Sequence, residues 1–193
     1  MGRSRVIDRQ SVLDAAERVV ARIGAAHLTL EAVAIEAGIS KASVIYDYKS
    51  KHALIKAVIE RSVARHTARL RAHAEEQGAV PDRAMRGRLA AAAAHSISDA
   101  ERTVALNLVA ALACDGDLRA VIEEAYREQM SEITGNSAHP RQAMLAFLAL
   151  EGLWLMERFG LFFWPQSERE QLLGDIGAML GRDGASSREA KCL

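Results

Sequence analysis

The stretch Ala37-Gly38-Ile39-Ser40 leaves the chain almost no freedom. An amphipathic segment opened by Thr29, with Leu30, Val33 and Ala34 facing inward, runs into Ala37-Gly38, and Ser40 then starts another helix at once. A gap of about four residues containing a glycine is the form of a helix-turn-helix, whose turn needs a residue tolerant of positive φ. The flanks agree. Asp8 is placed to cap a first helix with Val12, Ala16, Val19, Val20 and Ile23 on one face, Ile7 to staple onto Val12, and Gly24 to end it. Ser50 is placed to cap a fourth helix, whose Leu54, Ile55, Val58 and Ile59 return to the same core before it continues as ARHTARLRAHAEE.

Composition extends this to the whole chain. With 193 residues, half of them hydrophobic, the protein can bury a substantial core as one large domain or as a small one joined to a larger one. Three prolines, few aromatics and abundant Ala, Leu, Arg and Glu favour helix, so the expected class is all-α. Cys114 and Cys192 form neither a disulfide framework nor a ligand-spaced pair, and MGRSRVIDRQ has no apolar stretch behind its basic residues, which together imply a reduced, cytoplasmic setting. The apolar run from Ala143 to Trp164 has the length of a membrane span. It carries Glu151, Glu157 and Arg158, each costing roughly 2.5 to 3.5 kcal/mol at mid-bilayer, so a buried or interface helix is expected and no membrane partner.

The zero net charge conceals an asymmetry. Residues 1–75 hold 13 Lys and Arg against 8 Asp and Glu, whereas residues 76–193 hold 12 against 17. A basic module joined to an acidic one suits a nucleic-acid binder, and a shift of this size also occurs in ordinary globular proteins. Position carries more weight. In a helix beginning at Ser40, Val44 packs inward with Ile39, while Ala42, Ser43 and Tyr46 share the opposite, small and polar face. Small side chains let a helix backbone approach the floor of the major groove, and hydroxyls with an aromatic tip reach base edges or phosphates. Lys41 and Lys51 add charge beside helix N-termini whose free N–H groups already favour phosphate.

These residues resemble the TetR family of bacterial transcriptional repressors. The similarity covers about residues 8–60 and rests on Thr29, Gly38, Ile39, Ser40, Lys41, Ala42, Ser43, Val44, Tyr46, Tyr48, Ser50 and Lys51. The resemblance implies DNA contacts from Thr29, Ser40, Lys41, Ala42, Ser43, Ile45, Tyr46, Tyr48 and Lys51. Tyr48 suits equally a half-buried aromatic closing the small core, and Lys49 a solvated cation. Ile45 and Asp47 depart from the family pattern: an isoleucine can touch a thymine methyl but not hydrogen-bond a phosphate, and Asp47 is repelled by phosphate unless Lys49 or Lys51 neutralises it.

The rest of the chain reads as a second helical domain. The expected division is residues 1–50 for the helix-turn-helix domain, 51–77 for a long connecting helix, 78–181 for an effector-binding and dimerisation domain, and 182–193 for a frayed tail. Gly78-Ala79-Val80-Pro81 is the linker, and Ser98 to Glu101 and Ser167 to Glu170 have the spacing of capping boxes. Helices are predicted near 82–95, 98–114, 117–134, 140–164, where Pro165 stops the run, and 168–181. The resemblance implies a homodimer through the last two helices, with Leu153 on the penultimate helix and Leu172, Leu173, Ile176, Met179 and Leu180 on the last as contacts, Gly152 and Gly160 permitting close approach. It also implies a cavity for a small, apolar effector. Leu106, Val109, Phe147 and Trp154 are candidate lining on apolar character, and each suits plain core as well. No cofactor or metal is expected: His66 and His73 lie on a basic helix face suited to solvent, and no nucleophile stands near a base. The function expected is that of a ligand-responsive repressor on a palindromic DNA operator. A constitutive or architectural DNA-binding factor and an all-helical enzyme are the alternatives.

Overall fold

The computed structural model describes residues 9–95 and 98–181. Asp8, Ile7, the arginines at 3 and 5, and the segment 182–193 lie outside them. All regular elements among the described residues are helical: α1 (Arg9–Ile23), a 3-10 turn (Ala25–His27), α2 (Leu30–Ala37), α3 (Lys41–Asp47), α4 (Lys51–Glu76), α5 (Arg83–Ala94), α6 (Asp99–Cys114), α7 (Gly116–Gly135), α8 (Pro140–Arg158), α9 (Gln166–Ala178) and a closing 3-10 turn (Met179–Gly181). The all-α class follows directly. Two compact units arise, one from residues 1–66 with 97–126 and the other from 67–96 with 127–193. The units thus do not follow chain order, because α6 and the first part of α7 pack with the N-terminal helices.

The first unit is built around α1, which buries Val12, Leu13, Ala15, Ala16, Val19 and Val20. Leu28, Val33, Val44, Leu54, Val58 and Ile59 close over it from the following elements, and Leu108 of α6 and Leu118 of α7 join the same cluster. Each such side chain contributes about 1.5 to 3 kcal/mol of burial. Asn107 fixes α6 against the end of α1 by donating Nδ2–H to the Val20 carbonyl at 3.1 Å. Arg61 of α4 reaches α1 through Asp14 at 2.7 Å and Glu17 at 3.2 Å. Glu36 of α2 accepts from Arg18 at 2.7 Å and Arg22 at 2.9 Å.

The second unit packs α5, α8 and α9 with the end of α4. Phe147, Leu150 and Leu153 of α8 meet Met85, Ala91 and Ala92 of α5 and Leu173 and Ile176 of α9 in its buried set. Two arginines are buried with them. Arg169 is clasped by Glu157 at 2.6 and 3.2 Å and donates to the Ala92 carbonyl at 2.9 Å. Arg88, 3% exposed, donates to Gln129 at 2.6 Å and Glu151 at 3.4 Å and stacks 5.1 Å from the Phe147 ring centroid.

Two local expectations need correction. The penultimate helix ends at Arg158, not at Pro165: Gly160 takes φ +65°, its N–H bonds to the Glu157 carbonyl, and the Leu161 N–H to that of Met156. That is a Schellman closure, in which glycine ends a helix wherever the left-handed position is needed. The box at Ser167 is not formed, because α9 already starts at Gln166 behind Pro165, and Gln166 bonds Glu170 at 2.7 Å instead. The box from Ser98 to Glu101 forms in full. Within the single chain the close helix approach falls on Gly87. A Cβ at Gly87 would lie 2.5 Å from the backbone of Ala74, whereas one at Gly152 meets nothing within 4 Å.

The Gly87 contact predicts that Gly87→Ala destabilises the protein by about 1 to 3 kcal/mol or more, since backbone cannot yield as a side-chain tip does. Gly152→Ala should be near neutral in the same denaturant titration of the single chain. The carboxylates give a pH prediction. Hydrogen bonds from Arg18 and Arg22 hold Glu36 below its ordinary value, and the Leu118 N–H, with help from His52, does the same for Asp115. A depressed folded pKa stabilises above the unfolded value, and that contribution disappears as pH falls through the folded one. Acid unfolding followed by circular dichroism should therefore begin below the ordinary carboxylate range, and Glu36→Gln should reduce stability at neutral pH while weakening its acid dependence.

Candidate nucleic-acid interface

The interface is assembled by two turns and one buried valine. Thr29 Oγ1 accepts the Ala32 N–H at 3.0 Å and opens α2. Gly38, at φ +66°, closes α2: its N–H bonds to the Ile35 carbonyl and the Ile39 N–H to that of Ala34, again a Schellman pair. Ser40 Oγ then accepts the Ser43 N–H at 3.1 Å and opens α3, two residues past the glycine. Val44 is fully buried, which settles the rotation of this seven-residue helix. Ala42, Ile45 and Tyr46 consequently face outward, Tyr46 with 77% of its surface open. Lys41 is exposed at the first turn, and Ser43 is half-buried, its hydroxyl 2.8 Å from that of Ser40.

Tyr48 is elsewhere. Only 9% exposed, it sits in the core of the first unit, where burial, with Asp47 beside it, raises its phenol above the ordinary value. Its ring closes the small domain. Lys51, half-buried, donates to the Ala26 carbonyl in the 3-10 turn. Ser50 caps α4 through the Ala53 N–H at 3.0 Å.

Four partners were not visible in the sequence. Asp47 is neutralised by Arg9 at 3.2 Å, from the start of α1, and not by Lys49 or Lys51. Lys49 donates to the Tyr46 carbonyl at 2.9 Å and lies 5.3 Å from the Tyr46 ring centroid. Lys41 pairs with Glu31 of α2 at 2.9 Å. His52, in the first turn of α4, bonds Asp115 at 3.0 Å, while the other oxygen of Asp115 accepts the Asp117 and Leu118 N–H groups at the start of α7. Three of these contacts join different elements, so no spacing rule along one helix could disclose them, whereas Lys49 reaches only three residues back. Asp117 lies close enough for His52, Asp115 and Asp117 to form a compact donor group, but Asp115 is already engaged as a helix cap, where the positive end of a helix opposes a cation.

The four candidate pocket residues are divided. Leu106 and Val109 belong to the first unit, on an exposed part of α6, and Phe147 and Trp154 to the second. Phe147 is enclosed by core and by Arg88, and Trp154 is half-buried. Four of the expected dimer contacts face the chain's own core. Leu153, 6% exposed, and Leu173 are buried within a single chain, as are Ile176 and Leu180. The open apolar stripe of α8 is instead Leu145, Leu148, Leu155 and Met156, continued by Leu161, Phe162 and Phe163. No helix among the described residues is long and apolar enough to cross a membrane.

A glycine-turned helix pair presenting small, polar and aromatic side chains beside cations defines a DNA-binding helix-turn-helix protein. The chain belongs to the TetR family: residues 12–58 match the family of bacterial regulatory proteins of tetR type, and residues 87–181 match the tetracyclin repressor-like C-terminal domain. Members of the family are non-enzymatic regulators that bind DNA and dimerise. Among curated proteins none matches at a significant level. Among solved structures, a protein of Streptomyces coelicolor A3(2) described as a transcriptional regulator is similar with a TM-score of 0.72 at 20% identity, over 89% of this chain and 97% of that one. A TetR-family regulator of Mesorhizobium loti reaches 0.71 at 14% identity, over 89% and 94%. A regulator of Saccharomonospora viridis, solved in complex with choline, reaches 0.67 at 19% identity, over 86% and 93%. At such identities the likeness is one of fold.

The site yields a prediction about α3 itself. Removing Val44 from the core should release the reading helix as well as cost stability, so Val44→Ala should lower DNA affinity in proportion to the population of misplaced α3, by about 1 to 3 kcal/mol of destabilisation. Titrating a fluorescent duplex alongside thermal unfolding tests this; full DNA affinity in a clearly destabilised variant would show that α3 is held by something else.

Proposed function

We propose that this TetR-family regulator is a cytoplasmic repressor that binds a palindromic operator as a homodimer and is released by a small-molecule effector. The observation that supports it most is the outward face of α3, with Ala42, Ile45 and Tyr46 open above a buried Val44. Residues 1–50 are then the reading head, 51–77 the connecting helix, and 78–181 the effector and dimerisation region. Thr29, Ser40 and Lys41 approach phosphate, Ala42 admits the backbone to the groove, and Ser43, Ile45 and Tyr46 meet base edges or sugar. Lys51, beside the Ala26 carbonyl and with its charge uncompensated there, neutralises a phosphate that meets the first turn of α4. Two such heads need successive major grooves, about 34 to 36 Å apart or a multiple of it.

Dimerisation through α8 and α9 would cover the stripe of Leu145, Leu148, Leu155 and Met156, and Gly152 with its open surroundings lets a second helix come close. A small ligand is within the reach of the fold, as the choline complex of the Saccharomonospora viridis regulator illustrates. For release, the effector need only prefer one tilt of α4, and its effect on DNA affinity cannot exceed its differential affinity for the two states, typically about 1 to 3 kcal/mol. The boundary between the two compact units falls inside α4, after His66.

Three measurements test this. Leu148→Glu or Leu155→Glu should give monomers that bind DNA poorly but fold, since Leu155 is 53% exposed in the single chain; wild-type protein running as a clean monomer at micromolar concentration in light scattering would overturn the dimer. Lys51→Ala should lower the magnitude of the slope of log K against log salt by up to about 1.8 for a dimer. Replacing His66-Thr67 by a glycine pair should uncouple effector from DNA, and equal effector affinity with and without operator in the wild type would make the small molecule a passenger.

A further inference from the structure

The cation at the head of α3 is already occupied. Lys41, its first residue, places Nζ 2.9 Å from a carboxylate oxygen of Glu31, with both side chains about half exposed. Glu31 lies in the first turn of α2, two residues after the capping Thr29. A negative group is favoured there by the free N–H groups and dipole of the helix end, for the same reason that a phosphate is. The carboxylate therefore stands where a DNA phosphate would be attracted, on the cation that would attract it.

We propose that Glu31 is a specificity-setting residue: an internal phosphate mimic that keeps Lys41 from the DNA backbone until α3 is seated in its groove. This rests on the DNA-binding reading above. Binding to arbitrary sequence is almost wholly electrostatic, and each phosphate neutralised by a cation contributes about 0.9 to the salt slope. While Lys41 stays on Glu31 the pair is neutral and contributes nothing to a loose encounter. In the seated complex, base contacts from Ala42, Ile45 and Tyr46 bring Lys41 to the phosphate, and the pair with Glu31 opens. Such an exposed pair is worth only about 0 to 1 kcal/mol, weak enough to be exchanged by docking. The ion pairs of Glu36 are of another kind, since two arginines hold that carboxylate and tie α1 to α2.

The test is a double-mutant cycle read on DNA of arbitrary sequence, which requires no knowledge of the operator. Wild type, Glu31→Gln, Lys41→Ala and the double variant are titrated with a 30-base-pair random-sequence duplex at several salt concentrations. Glu31→Gln should steepen the slope by up to about 1.8 for a dimer, so that a fourfold rise in salt costs it about 12-fold more affinity than it costs wild type. In the Lys41→Ala background the same substitution should leave the slope unchanged. A steepening that persists without Lys41 would mean simple repulsion between Glu31 and DNA, and an unchanged slope in Glu31→Gln would mean that Lys41 reaches phosphate regardless; either overturns the proposal. Wild-type protein binding no duplex of any sequence would instead overturn the DNA-binding reading beneath it, and this proposal with it.

Discussion

Everything the first unit offers to DNA depends on the insertion of one valine. A helix of seven residues is too short to persist by its own hydrogen bonds, and its stability in a protein comes from tertiary packing. α3 has Val44 as its one fully buried side chain, with Ile39 packed against the same core from the turn and Tyr48 just beyond its end. With Val44 fixed, the periodicity of the helix dictates that Ala42, Ile45 and Tyr46 point away. Gly38 decides the other coordinate, the angle between α2 and α3, by supplying a left-handed residue at no steric cost. The reading surface is thus specified by groups that do not touch DNA.

This explains which parts were legible in the sequence. Thr29, Ser40, Ser50 and Ser98 announce helix starts because a cap is a local interaction, completed within three residues, and each forms as its spacing predicts. Ser167 fails for a reason equally local but stronger: Pro165 lies two residues earlier, and α9 begins directly after it. Gly160 could be read as small or as conformationally free, and its positive φ selects the second meaning. Buried and open positions of α8 and α9 were not legible to the same degree. Apolar residues spread round most of α8, and Leu172 and Leu173 stand side by side in α9, so periodicity cannot separate Leu153, which serves the chain's own core, from Leu155, which does not.

Long-range charge was the least visible layer. Arg9 and Asp47, Lys41 and Glu31, and His52 and Asp115 are separated in sequence by a helix or more. Their effect on function is nonetheless direct, because a cation counted from composition is not a cation available to phosphate. The number of cations in the N-terminal half overstates how many are open to phosphate: Arg18 and Arg22 are committed to Glu36, and Arg61 and Arg65 to Glu17. Exposed pairs of this type contribute little to stability, and their greater consequence is to set how much charge the surface presents.

The acidic residues of α8 complete the same point from the opposite direction. Glu151 and Glu157 argue against a membrane span because charge in an apolar run is costly, yet the run is apolar and the charges are partly buried. The resolution is that each carboxylate meets a buried arginine from another helix, Arg88 of α5 and Arg169 of α9. Burying an ion pair gains little net energy over an apolar contact, whereas leaving one partner alone costs about 3 to 5 kcal/mol. The pairs thus act less as adhesive than as a constraint: any arrangement of α5, α8 and α9 that separates Glu157 from Arg169 is penalised, however well its leucines pack. A helix with hydrophobic residues on all sides has many acceptable rotations. The two carboxylates leave one, and it is this rotation that turns Leu145, Leu148 and Leu155 outward.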